Sequence, residues 1–366
     1  MNKIMLKLML MLMVILLAGC DLAFGQDGVW GGREGWGRGG DEVSAACLFD
    51  ELEDTPDIAF AMVKVNGNYG GNCLRVRRAS DNALLDVGFV DGIVDTTTLR
   101  AFKGASTLSV AIWYDQSGNG WNLINTTAGT QPPLTLSGLN GLPILALTNH
   151  ELACVNNTIM DVTTGNLSLL VHVKQTNNAS TGYMINKRTG TDNGYSLIET
   201  ATNNYAAVVT EDAGGDMGYA PTAVSIAAAW HQVTGTWAPP LASTYLDGFV
   251  TAGGTETDAA VGSITNTDRP FKIGRDGAGA NQYIGSMNCV MGWLSEVSDA
   301  DREMIYLDMF EPLILFTATG NAVDDAGFTV TFTDDLGIGW GDGGFDVLAT
   351  TVEKTHAYGA AFSNTM

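Results

Sequence analysis

The chain has 366 residues, of which 45 are glycine and only 16% are charged, against about 25% in typical soluble domains. Aspartate and glutamate number 40 and lysine and arginine 18, a net charge of −22. No basic surface is available to track phosphates, which argues against nucleic-acid binding, and a hydrophobic fraction of 45% argues against wholesale disorder. The length suggests about two domains. An acidic, glycine-rich, charge-poor composition of this kind points to an extracellular all-β protein.

The N-terminus carries Lys3 and Lys7, then an apolar stretch from Leu8 to Leu17, and ends at Leu17-Ala18-Gly19-Cys20. The stretch falls short of the ~20 apolar residues of a membrane span and has the layout of a secretory signal. Its last four residues resemble the bacterial lipoprotein signal. The resemblance implies cleavage before Cys20, a lipid on Cys20 as the new N-terminus, and an extracytoplasmic, membrane-anchored protein at the periplasmic face or cell surface. Asp21 resembles the inner-membrane retention signal of some Gram-negative bacteria. With Cys20 acylated, Cys47, Cys73, Cys154 and Cys289 remain, and in an exported protein they permit two disulfides of open connectivity. Neither these cysteines nor His150, His172, His231 and His356 are spaced as a zinc site.

Residues 20–46, with Trp30 and Trp36 in a run of glycines, read as a flexible tether. From Cys47 onward the pattern becomes β-rich, with runs at Leu74–Arg77 and Leu108–Tyr114. Between them Asp95 is an N-cap candidate for a short helix through Leu99 and Phe102. From Asn166 to Val297, short β-rich runs recur between Asn, Gly, Asp and Thr clusters: Leu167–Val173, Tyr195–Ile198, Tyr205–Val209, Trp230–Trp237, Thr244–Leu246, Phe271–Ile273 and Cys289–Leu294. This spacing predicts a two-sheet sandwich or jelly roll. Asp247-Gly248 is a hairpin-turn signal, and Ser298-Asp299-Ala300-Asp301 resembles a capping box opening a helix that bears Ile305 and Met309. The expected organisation is all-β: a sandwich over 47–312 with one or two short helices, then a small β segment over 313–366.

Two stretches resemble the start of the catalytic domain of glycoside hydrolase family 54, the α-L-arabinofuranosidase B type. They are Tyr69-Gly70-Gly71-Asn72-Cys73-Leu74-Arg75-Val76-Arg77-Arg78-Ala79-Ser80-Asp81-Asn82 with Asp86-Val87-Gly88, and Trp113-Tyr114-Asp115-Gln116-Ser117-Gly118-Asn119-Gly120 with Asn122-Leu123. The same motifs occur in bacterial and phage surface proteins. Trp230–Trp237, Tyr245–Gly248, Ile273–Asp276 and Tyr283–Met287 are similar to laminin-G-like, concanavalin A-type sandwiches. The tail, with Trp340–Gly343 and His356–Tyr358, resembles a polycystic-kidney-disease-type β module that stops early.

The hydrolase resemblance implies Glu199 as nucleophile, after Asn193-Gly194, and Asp276 as acid/base. A retaining glycosidase needs two such carboxyl groups about 5–5.5 Å apart. Glu199 sits two residues beyond the family spacing, a shift that keeps strand parity. Asp115, Asn119 and Asn122 form a candidate oxygen set for Ca2+, weighed against a turn aspartate beside a buried aromatic pair. Tyr195, Tyr205 and Tyr283 are candidate sugar-stacking rings at the sandwich rim, and Asp192, Asp212 and Asp216 read as solvated loop charges. No serine-nucleophile or phosphate-loop motif is present. The leading expectation is a surface-exposed binding protein for carbohydrate or a surface partner. A retaining α-L-arabinofuranosidase is the alternative, and an adhesion or envelope component the third.

Overall fold

The computed structural model describes residues 47–155, 158–176, 181–189, 192–202, 204–211, 217–222, 229–248, 261–264, 269–276 and 281–310, and five strands between 315 and 357. The lipoprotein signal with Cys20, the tether, Asp212, Asp216, Trp340–Gly343 and Tyr358 lie outside the described residues, as does the side chain of Asp192.

The chain divides into two units, Gly37–Glu311 and one containing Pro312–Met366. The first opens with α1 (Leu48–Glu51) and strands β1 (Ile58–Ala61), β2 (Leu74–Arg78) and β3 (Leu84–Val87). A small hairpin of β4 (Phe89–Val90) and β5 (Ile93–Val94) leads to α2 (Thr96–Lys103) and β6 (Leu108–Trp113). Next come β7 (Leu123–Ile124), β8 (Pro133–Thr135), β9 (Ile144–Leu147) and β10 (Leu152–Cys154). The larger half contains β11 (Leu167–Gln175), β12 (Gly182–Thr189), β13 (Asp192–Glu199), β14 (Tyr205–Thr210) and β15 (Met217–Pro221). It is completed by β16 (Trp230–Ala238), β17 (Leu241–Leu246), β18 (Lys272–Ile273), β19 (Gly285–Trp293) and α3 (Asp299–Ile305).

All ladders between these strands are antiparallel, as a jelly-roll sandwich requires. One sheet runs β17–β16–β11–β19, with β9 and β1 beside successive halves of β19. The other runs β15–β14–β13–β12–β18–β10–β7–β6, with β2 and β3 beyond β6. Leu169, Val171 and Val173 of β11, Leu197 of β13, Ala207 of β14 and Val233 of β16 share one apolar cluster with Trp113 and Phe60. Strands β11 and β19 are buried on both faces. Their outward residues Leu170, Met291 and Trp293 pack with Leu48, Ile305 and Met309, so the helix predicted to close the sandwich covers one sheet.

The local signals act through identifiable bonds. Asp95 caps α2 by accepting from the Thr98 N–H at 2.9 Å, and Ser298 caps α3 by accepting from the Asp301 N–H at 3.0 Å. The capping box is not completed. Asp301 is one methylene shorter than the usual Glu, and its carboxylate instead accepts from the Glu53 and Asp54 N–H groups at 3.0 and 3.4 Å. Asp247 and Gly248 have the expected positive φ, 54° and 75°, but they end β17. The hairpin between β16 and β17 turns at Pro239–Pro240, flanked by the pair Ala238↔Leu241, where no ladder N–H is required. The two disulfides that the cysteine count permits are not formed: Cys47, Cys73, Cys154 and Cys289 are thiols.

In the second unit β20 (Leu315–Gly320), β21 (Ala326–Thr331) and β24 (Glu353–Ala357) form one sheet, and β22 (Leu336–Gly339) pairs with β23 (Phe345–Leu348).

Candidate functional site

The Trp113–Asn122 motif folds as a clamp. Trp113 is fully buried in the core, and the chain then turns so that Asp115 points inward at 1% exposure. Asp115 Oδ1 accepts from the Ala59 and Ser117 N–H groups, each at 3.0 Å. Its Oδ2 accepts from Ser117 Oγ at 2.8 Å and the Trp121 N–H at 3.0 Å. Four donors fill the acceptor sites of one carboxylate. Asn122 Oδ1 accepts from the Asp115 N–H at 3.0 Å, and Asn119 Nδ2 donates to the Asp57 carbonyl at 2.8 Å. The candidate calcium residues Asp115, Asn119 and Asn122 are thus each engaged in hydrogen bonds within the fold. The Asp115 oxygens accept from backbone N–H groups and the Ser117 hydroxyl, the Asn122 oxygen from the Asp115 N–H, and the Asn119 amide nitrogen is turned to Asp57. Gln116, which composition and spacing did not single out, completes the clamp. Its side chain accepts from the Val65 N–H at 3.0 Å and donates to the Ala61 carbonyl at 2.9 Å, binding β1 and the residues after it to the motif.

Glu199 ends β13, directly opposite Gly182 of β12 and Tyr205 of β14. Period-two alternation puts it on the face of Tyr195 and Leu197, which belong to the inter-sheet core. It is 1% exposed, and burial pushes its carboxyl up to about 8, so it is protonated at neutral pH. Asp276, 4% exposed, follows the bridge residue Arg275. Its N–H donates to the Asn281 carbonyl at 3.0 Å, and its Oδ2 accepts from Asn281 Nδ2 at 2.8 Å. Tyr183 of β12 bridges Gln282, and Gln282 bridges Arg275. One strand, β12, thus lies between the strand bearing Glu199 and the Arg275–Gln282 bridge beside Asp276.

The three tyrosines proposed as stacking rings are corrected. Tyr195, Tyr205 and Tyr283 are 1%, 0% and 0% exposed, so their faces are occupied by the core. Tyr195 donates to the Met160 carbonyl at 2.7 Å. Burial raises all three hydroxyls well above the ordinary tyrosine range.

The interior end of the sandwich nevertheless gathers polar atoms. Among the described residues Glu199 Oε1, the Tyr205 and Tyr283 hydroxyls and His231 Nε2 are buried without a hydrogen-bond partner. Tyr205 lies edge-on to His231, ring centroids 6.1 Å apart, and His231 Nδ1 is 3.0 Å from Asp247 Oδ2. A protonated carboxyl, two phenols and an imidazole so placed can donate protons and hold hydroxyl groups or water. They present no ionised nucleophile. His231 and Asp247 were legible only as strand and turn residues, because they come together through the register Val233↔Leu246, which no linear spacing reveals.

Residues 147–301 match the concanavalin A-like lectin/glucanases superfamily, and the sandwich has that fold. No curated protein matches the sequence. Among solved structures, a family 54 glycoside hydrolase, an α-L-arabinofuranosidase soaked with a cyclic sulfate inhibitor, is 13% identical; the alignment covers 76% of this chain and 70% of that one with a TM-score of 0.49. The binding domain of Paraclostridial Mosquitocidal Protein 1 is 12% identical over 67% of this chain and 66% of that one, with a TM-score of 0.42. The receptor binding domain of botulinum neurotoxin D is 13% identical over 60% of each chain, with a TM-score of 0.40.

Proposed function

We propose that this concanavalin A-like chain is a lipid-anchored, extracytoplasmic protein that binds carbohydrate or a surface partner. The observation that carries the reading is the state of Glu199. A retaining hydrolase requires an ionised carboxylate open to the sugar, whereas this one is 1% exposed and raised to about 8. The net charge of −22 favours neutral or cationic partners and repels anionic headgroups, so the lipid on Cys20 provides the membrane contact. Glycan screening of the full chain tests the binding role. Saturable affinity for at least one neutral oligosaccharide, little changed in Glu199→Gln, is the expected outcome, and absence of affinity for every glycan and surface polymer sinks it. For the anchor, Cys20→Ser should move the chain out of the membrane fraction.

The second reading is a retaining α-L-arabinofuranosidase with Glu199 as nucleophile and Asp276 as acid/base. What favours it is that β12 alone, among the described strands, lies between the strand of Glu199 and the Arg275–Gln282 bridge beside Asp276. Hydrolysis of 4-nitrophenyl α-L-arabinofuranoside that disappears in both Glu199→Gln and Asp276→Asn, with folding intact, would replace the binding reading by this one.

A further inference from the structure

The strand β2 carries three arginines, and two are committed to the fold. Arg77 donates to Gln131 Oε1 at 2.7 Å, Asn82 Oδ1 at 2.9 Å, Ser109 Oγ at 3.1 Å and the Ala128 carbonyl at 2.9 Å. Arg78 grips Asp81 with two N–H groups at 3.0 and 2.6 Å, donates to the Phe102 carbonyl at 2.8 Å, and stands over the Phe102 ring at 4.5 Å.

Arg75 differs. It faces outward on β2, directly opposite Asp86 of β3, and donates Nε and one terminal nitrogen to that carboxylate at 2.8 and 2.6 Å. Two of the five guanidinium N–H groups are thereby used, and the side chain stays 37% exposed beside an Asp86 that is 35% exposed. Tyr114 fixes the carboxylate from the other side, its hydroxyl donating to Asp86 Oδ1 at 2.7 Å. Tyr69 stands next to this tyrosine: its hydroxyl donates to the Asn72 carbonyl at 2.8 Å, and its ring meets Phe89 edge-on at 6.4 Å. Gly71 leaves room for it, since a Cβ there would meet the Tyr69 hydroxyl and displace the ring.

We propose that Arg75, Asp86 and Tyr114 form a subsite for the vicinal hydroxyls of a neutral sugar. One hydroxyl accepts from the unused terminal N–H groups of Arg75, the next donates to Asp86 Oδ2, and the phenol ring of Tyr114 takes an apolar sugar face. The ligand is neutral because Asp86 already balances the guanidinium and the chain as a whole is strongly acidic. The assignment rests on the carbohydrate-binding reading and gives it a location on the outward face of β2 and β3. An exposed ion pair contributes little to stability, so variants at this pair retain the fold.

The experiment titrates the full chain with arabinotriose, xylotriose and maltotriose, following calorimetric affinity and the Arg75 Nε–Hε resonance. At least one trisaccharide shifts that resonance saturably, and Arg75→Gln and Asp86→Asn each weaken its binding at least about tenfold. Binding to the wild type that leaves the Arg75 resonance in place and survives both substitutions overturns this site while the carbohydrate reading stands. A wild type that binds no trisaccharide and no other neutral glycan overturns both.

Discussion

Asp115 shows how far one side chain can be committed to a fold. Its carboxylate joins β1, its own turn and Trp121 through four hydrogen bonds. An amide at this position would turn a donor toward donors already buried there. Asp115→Asn should therefore cost about 3 kcal/mol, read as a lower urea midpoint that neither calcium nor a chelator alters. Glu199 supports a prediction with a definite sign. Its folded pKa, about 8, exceeds the ordinary value of 4.5, so between these values the folded state holds a proton that the unfolded state has released. Stability from this group is full below about pH 4.5 and is lost as the pH rises through 8. His172 opposes it at lower pH: burial holds its imidazole down to about 4 from 6.5, so stability is lost as the pH falls through that range. From pH 6.5 to 8, among the described groups with a shifted pKa, the glutamate sets most of the slope. The melting temperature should fall across that window in the wild type and stay flatter in Glu199→Gln, whose advantage reaches a few kcal/mol in order of magnitude.

Among the elements, the approach of the two sheets is set by small residues. Gly235 of β16 faces β13 and β14, and a Cβ added there would lie 2.9 Å from both Ala207 Cβ and Leu197 Cδ1. Gly235→Val should thus cost about 1–3 kcal/mol through overpacking, and pairing it with Leu197→Ala should recover part of the loss. Thermal unfolding of the single and double variants measures the coupling. The helix signals at Asp95 and Ser298 were legible because capping is local. The reach of Asp301 to Glu53 and Asp54, 248 and 247 residues away in sequence, was not, since it exists only once α3 is laid on its sheet. The Asp247-Gly248 signal marks the end of β17, whereas the β16–β17 turn lies at the two prolines seven residues upstream of Asp247.

For the whole molecule, a net charge of −22 makes self-repulsion the dominant long-range term. Raising sodium chloride from about 10 mM to about 200 mM shortens the Debye length from about 30 Å to below 10 Å. The melting temperature should rise over that interval and then level off, which calorimetry at a series of salt concentrations resolves; a fall would show that attractive ion pairs such as Arg75–Asp86 outweigh the repulsion.

By itself the sequence determined the class and the site candidates but not their states. Alternating runs between turn clusters specify strands, because a strand's two faces meet different solvents locally, and the sandwich follows from burying the apolar ones. The Trp113–Asn122 and Leu74–Arg78 motifs were visible for the same reason, being contiguous. Only the tertiary structure decided that Asp115 is saturated, that Tyr195, Tyr205 and Tyr283 are sealed in the core, and that Glu199 is held neutral. Burial and hydrogen-bond partners are set by segments brought together from elsewhere in the chain, as Ala59 and Met160 are to Asp115 and Tyr195, and the same residue type reads identically in sequence whether its environment is water or the interior of a sheet pair.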